Sequence, residues 1–140
     1  MNANLGEQHS FYGLGLAPKL LELVERMKFK TPTPIQYKAI PIGIAGKDIV
    51  GIAQTGTGKT LAFGLPMVQR LAPGLKRGLV LVPTRELALQ VEETLNKIGQ
   101  PLGMRSVVLI GGASMYNQVQ ALRRGPRIIV ATLGRLLDHL

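Results

Sequence analysis

The strongest constraint on the fold is an alternation of two hydrophobic periods along the chain. Short, nearly continuous apolar runs are each followed by apolar residues at helical spacing. Asp48 to Ala53 (DIVGIA) is such a run, and beyond a Gly-rich loop Leu61, Leu65 and Val68 share one helical face. Gly78 to Val82 (GLVLV) precedes Leu87, Val91, Leu95 and Ile98, Arg105 to Ile110 precedes Met115, Val119 and Leu122, and Arg127 to Ala131 forms the fourth run. Upstream, Leu16, Leu20, Val24 and Met27 predict a helix with Pro18 in its first turn. Strands that are apolar on both faces must be covered on both, so the pattern predicts an α/β fold with a mostly parallel sheet between helices. In such a sheet every strand-to-helix turn emerges at one edge, where ligands bind. Four turns are expected there: Gln54 to Lys59, Pro83 to Glu86, Gly111 to Ser114 and Thr132 to Arg135.

Composition narrows the class. The 140 residues are 46% hydrophobic, too apolar for a disordered polyelectrolyte and enough for one globular domain, with residues 1–10 expected as a flexible tail. No cysteine is present, and His9 and His139 lie at opposite ends of the chain, which excludes a disulfide framework and a thiolate metal site. The opening MNANLGEQHS has neither a basic nor an apolar leader segment, and no uncharged apolar run approaches the ~18 residues that span a bilayer. The expectation is a soluble, cytoplasmic protein without membrane partners. Lys and Arg number 17 against 8 Asp and Glu, with 10 basic and 4 acidic residues from Arg70 onward. Such a charge attracts polyanions. Aromatics make up only 4% and are not interleaved with the basic residues, so contacts to a phosphate backbone are expected rather than base stacking.

The segment AQTGTGKT, Ala53 to Thr60, stands between a predicted strand and a predicted helix, the context that a phosphate-binding loop requires. Gly56 and Gly58 let successive backbone N–H groups turn toward phosphates, and the helix beginning there adds its own N–H groups and dipole. Gln54, Thr55, Gly56, Thr57 and Gly58 would cradle the phosphates, Lys59 would span β and γ, and the Thr60 hydroxyl would ligate Mg²⁺. Ala53 replaces the first glycine of the strict pattern; such a match arises by chance in roughly one or two chains per hundred of this length, before its context is counted. A dinucleotide fingerprint is ruled out, because Leu61 occupies its third glycine position.

Other turns carry further motifs. FKTPTPIQ (Phe29 to Gln36) lies upstream of AQTGTGKT, and PTRELA (Pro83 to Ala88), Gly111-Gly112 and TLGR (Thr132 to Arg135) follow in order. From about Phe11 to the last residue the chain resembles the first RecA-like domain of DEAD-box ATP-dependent RNA helicases. The resemblance implies a RecA-like P-loop fold, with residues 11–140 as a partial first helicase domain and ATP or ADP with Mg²⁺ as cofactors. FKTPTPIQ is similar to the family's Q motif. Gln36 would then bond the adenine edge, Phe29 would stack on the base, and Phe11 matches an upstream aromatic; read alone, the two phenylalanines suit core packing and Gln36 a helix surface. PTRELA is similar to motif Ia, with Pro83, Thr84 and Arg85 at RNA phosphates, although Thr84 also suits a simple helix cap. Gly111 and Gly112 permit close backbone approach to a phosphate, or make a turn. TLGR is similar to motif Ib, where Thr132 and Arg135 would hold the strand. Leu133 replaces the family's usual Pro, and Lys28 its usual Gly.

The Asp-Glu-Ala-Asp and Ser-Ala-Thr motifs of the family have no counterpart before Leu140; the adjacent Glu92-Glu93 pair is expected mid-helix, away from the strand ends. The chain alone is therefore expected neither to hydrolyse ATP nor to unwind RNA. The family's strands before those motifs lie between the phosphate-loop strand and the Pro83 strand. The sheet is thus expected to be incomplete toward its C-terminal end, altered in order, or completed by a swapped or edge-paired dimer. Two other readings remain at this level: a non-catalytic RNA- or protein-binding module with a vestigial phosphate loop, whose partner would meet Arg123, Arg124 and Arg127, and a compact P-loop kinase or GTPase, which leaves Phe29 and Gln36 unexplained.

Overall fold

The computed structural model describes residues 10–52 and 57–140, with the side chain of Thr57 left out. The chain divides into two compact units, one ending at Pro73 and the other running from Gly74 to Leu140.

The first unit is helical. Helix α1 (Pro18–Arg26) carries Pro18 at its start, where a missing N–H costs nothing, and buries Leu20, Leu23 and Val24. It ends in a Schellman turn: the Phe29 N–H donates to the Val24 carbonyl (3.2 Å) and the Lys28 N–H to that of Glu25 (2.9 Å). Such a turn needs a left-handed residue, and here it is Lys28, with φ of 67°. Helix α2 (Pro34–Ile44) ends in the same turn, with Gly46 at φ 84°. The Arg70 guanidinium donates to the Ile44 carbonyl at 3.1 Å and fills the space that a side chain at 46 would need.

Helix α3 (Thr57–Leu71) packs against α2, with Leu61, Leu65 and Val68 buried as their spacing predicts. A Cβ on Gly43 would lie 2.8 Å from Cβ of Pro66, so the absence of a side chain sets how closely the two helices approach. Gln69 of α3 anchors the segment before α1, accepting from the Ala17 N–H (2.8 Å) and donating to the Gly15 carbonyl (2.9 Å).

The expected strand over 48–53 is a correction: residues 48–52 form no strand, and Ala53 lies outside the described residues. Val50 is 96% and Ile52 93% exposed. Extended backbone becomes a strand only by pairing, and among the described residues no strand pairs with it.

The second unit is the α/β layer. Strand β1 (Gly78–Val82) leads into helix α4 (Arg85–Gly99) and a 3-10 turn over Gln100–Leu102. Strand β2 (Ser106–Leu109), helix α5 (Met115–Arg123), strand β3 (Ile128–Thr132) and helix α6 (Leu133–Asp138) follow. All pairs are parallel in the order β1-β3-β2, with Gly78 beside Ile128, Val82 beside Thr132 and Leu109 beside Ala131. Central β3 is the most buried strand: Ile128, Val130 and Ala131 are fully enclosed.

Helix α4 contributes Ala88, Val91, Leu95 and Ile98 to the core, its Gly99 standing against the Ile128 side chain. On the alternate face Val107, Leu109 and Ala131 pack with Ala121 and Leu122 of α5 and Leu136 of α6. Glu92 accepts the Ser106 hydroxyl at the start of β2, so the Glu92-Glu93 pair stands away from the C-terminal strand ends, where the turns emerge. The β1 residues Leu79 and Leu81 are each 51% exposed, which leaves that edge strand apolar and half covered.

A lysine in the left-handed region bears a steric cost of about 1 kcal/mol that glycine lacks. Lys28→Gly is expected to stabilise the protein by about that amount, read as a raised denaturant midpoint at unchanged slope.

Candidate functional site

In the first unit the start of α2 and the first turn of α3 meet at one side chain. Thr33 and Pro34 open α2, and Gln36 closes a capping box with Thr33. The Thr33 N–H donates to Gln36 Oε1 (2.9 Å), and the Gln36 N–H donates to Thr33 Oγ1 (3.4 Å). The same amide reaches across, Nε2 donating to the Gly58 carbonyl at 3.0 Å in the first turn of α3. Gln36 is 2% exposed, so it is not a helix-surface residue. An amide has two donor hydrogens and two acceptor lone pairs; these bonds use one of each.

Lys59 is half buried and Thr60 buried in that first turn of α3, which carries no acidic residue. The N-terminal end of a helix, with its N–H groups and dipole, suits an anion. Gln54, Thr55 and Gly56 lie outside the described residues, as does the Thr57 side chain. Phe11 is buried and Phe29 half buried, and both line a cavity of about 380 Å³ with Tyr12, Val24, Lys28 and Lys30. The structure thus brings the two phenylalanines together; Gln36 is not part of that lining. Among the described residues no cluster of His, Asp or Glu suits a metal ion.

In the second unit the register places three turns side by side at the C-terminal edge of the sheet. Thr84 caps α4, its Oγ1 accepting from the Leu87 N–H at 3.1 Å, which is the cap role its residue type allows. The Arg85 guanidinium lies over Gly112, where a side chain would collide with it, and Gly112 has φ of 80°. The Pro83–Arg85 turn and the glycine pair are thereby in direct contact. Pro83 and Gly111 flank them; a Cβ on Gly111 would meet nothing within 4 Å. Thr132 stands at the N-cap of α6 without a side-chain cap bond. Arg135 reaches Met115 Sδ (3.3 Å) and pairs with Asp138 (3.6 Å).

The basic trio sits elsewhere. Arg123 and Arg124 end α5 and Arg127 precedes β3, at the opposite edge, where Arg127 donates to the Lys76 carbonyl at 2.9 Å. Sequence reasoning missed Gln118, the buried polar side chain of α5; the signal was a glutamine three residues after Met115 on the inward face.

Residues 33–140 match the DEAD/DEAH box helicase family. The chain belongs to that family. It is 53% identical over 133 residues to the ATP-dependent rRNA helicase RRP3 of Debaryomyces hansenii, covering 94% of this chain and 28% of that protein. It is 52% identical over 133 residues to rrp3 of Emericella nidulans, covering 94% and 29%. Among solved structures it resembles the RNA helicase Prp28 of Chaetomium thermophilum bound to ADP (TM-score 0.84, 44% identity, 92% of this chain and 33% of that one). A hypothetical ATP-dependent RNA helicase of Sulfolobus tokodaii gives a TM-score of 0.80 at 36% identity over 88% of this chain and 36% of that one. The fold of this helicase chain is accordingly RecA-like, and it spans under a third of the length of these curated relatives.

Gly112→Ala would force a Cβ into the Arg85 guanidinium at a left-handed φ. The expected loss is about 2 kcal/mol of stability, measured by denaturant unfolding, whereas Gly111→Ala costs less.

Proposed function

We propose that this DEAD-box helicase chain holds ATP or ADP at the start of α3 and the Q motif, and RNA phosphates at the Pro83–Arg85, Gly111–Gly112 and Thr132–Arg135 turns. The observation that carries the nucleotide half is the Gln36 amide, which fixes the Q motif to Gly58 beside Lys59. The donor and acceptor left over on that amide match the N7 acceptor and N6 donor of adenine, whereas guanine offers two acceptors on the same edge. Lys59 would meet the β and γ phosphates and Thr60 the Mg²⁺ that accompanies them.

For RNA, the supporting features are the N-terminus of the 15-residue α4, Arg85 over Gly112, and Arg135 behind the third turn. Contacts of this kind carry no sequence information. Hydrolysis and unwinding belong to a longer helicase. The described residues of this chain place no carboxylate cluster that could hold the metal and polarise water, so the chain alone is proposed to be inactive.

Titration calorimetry should give ADP bound about tenfold more tightly than GDP, the worth of one or two hydrogen bonds, and Lys59→Ala should weaken both by about tenfold or more. Equal affinity for the two nucleotides would overturn the adenine assignment. Oligouridylate and oligoadenylate should bind alike, with affinity falling linearly in log salt; Arg85→Ala should lower that slope by about 1, while Arg123→Glu should leave it unchanged.

A further inference from the structure

We propose that Gln118 is a positioning residue that fastens the Gly111–Gly112 turn and the Thr132–Arg135 turn into one rigid cradle for the RNA backbone, an inference that rests on the RNA reading above. Gln118 is 5% exposed on the inward face of α5. Its Nε2 donates to the Ile110 carbonyl at 2.9 Å, the last carbonyl before the glycine pair. Its Oε1 lies 2.8 Å from His139 Nε2, at the residue that closes α6. One planar amide therefore holds the root of one turn with its donor and the helix behind the other turn with its acceptor.

The geometry has a physical reason to exist. Two consecutive glycines, one at a positive φ, have no side chains to fix their own conformation, so the turn must be held from outside. Arg85 covers it from α4, Ser114 caps α5 at its exit by accepting the Asn117 N–H (3.2 Å), and Gln118 grips its entrance. A leucine at 118 would bury more apolar surface at this position. The buried amide is tolerated because both of its ends are satisfied, and what it adds is orientation. The Arg135–Met115 contact joins the first turn of α5 to the middle of α6, so α6 is tied to α5 at two points.

The test compares Gln118→Met, which keeps length and loses both bonds, with His139→Phe and His139→Gln, which lose and keep the donor to Gln118. Amide hydrogen exchange on the 140-residue chain should accelerate about tenfold at residues 111–113 and also at 133–136 in Gln118→Met, and at 133–136 alone in His139→Phe, with His139→Gln near wild type. Oligouridylate affinity should fall about tenfold in Gln118→Met, with the salt slope reduced by about 1. Acceleration confined to residues 111–113 in Gln118→Met, or unchanged RNA affinity in the folded variant, would overturn the proposal. Should Gln118→Met fail to fold, the contrast between His139→Phe and His139→Gln decides in its place: equal exchange in the two overturns the coupling. If the wild-type chain shows no salt-dependent RNA binding, the RNA reading fails, and the exchange data still decide whether Gln118 couples the turns.

Discussion

The second unit depends on the pairing of β3 between two parallel neighbours. A strand in that position uses both rows of its backbone groups in ladders and turns both faces away from water, which only apolar, β-branched or small side chains tolerate. Ile128, Val130 and Ala131 meet the condition, and the register they set carries upward to the turns. Because Val82 aligns with Thr132 and Leu109 with Ala131, the chain leaves all three strands at nearly one level. Thr84, Gly112 and Thr132 become neighbours through that alignment, although they are far apart in sequence. The turn chemistry is a consequence of sheet register, and the Arg85 guanidinium over Gly112 together with the hydrogen bonds of Ser114 and Gln118 refines it.

In the first unit Gln36 has the corresponding role on a smaller scale. Its side chain is at once the return half of a capping box and a cross-link to the phosphate-loop helix. A residue with that double duty complicates mutagenesis. Replacing it with alanine removes two buried hydrogen bonds, so lost nucleotide binding in such a variant reports on the start of α2 and α3 as well as on adenine. Comparing ADP with GDP in the unmutated chain avoids the ambiguity, because the protein is the same in both arms.

Much of this was legible in the sequence where period and chemistry agreed. GLVLV forms β1 with the expected ends, and Val91, Leu95 and Ile98 are buried as their spacing required. Helix α2 was harder to read. Pro34 to Ile44 is apolar nearly all round and contains Pro41, so it lacks an amphipathic stripe; its visible signal was the Thr33-Pro34-x-Gln36 start. In α5 the apolar spacing pointed to Met115, Val119 and Leu122, but Met115 is exposed and Gln118 is the buried side chain. Hydrophobic patterning is blind to a polar group that is buried because it is satisfied. Lys28 shows the reverse case. Its place in a motif that usually carries glycine marked a backbone requirement, and the left-handed φ there is that requirement.

The run over 48–52 and the exposed face of β1 share a cause. Both sequences have the composition of strands flanked on each edge and covered on each face. β1 has a ladder on one edge only, and 48–52 has none among the described residues. Propensity does not make a strand: an extended segment gains from its apolar residues only when neighbours remove them from water. Ile49, Val50 and Ile52 remain exposed for that reason, and in the other unit Leu79 and Leu81 of β1 are half exposed. Strand-forming sequence without strand partners is a pairing surface, and its edges favour whichever extended chain can supply the missing hydrogen bonds.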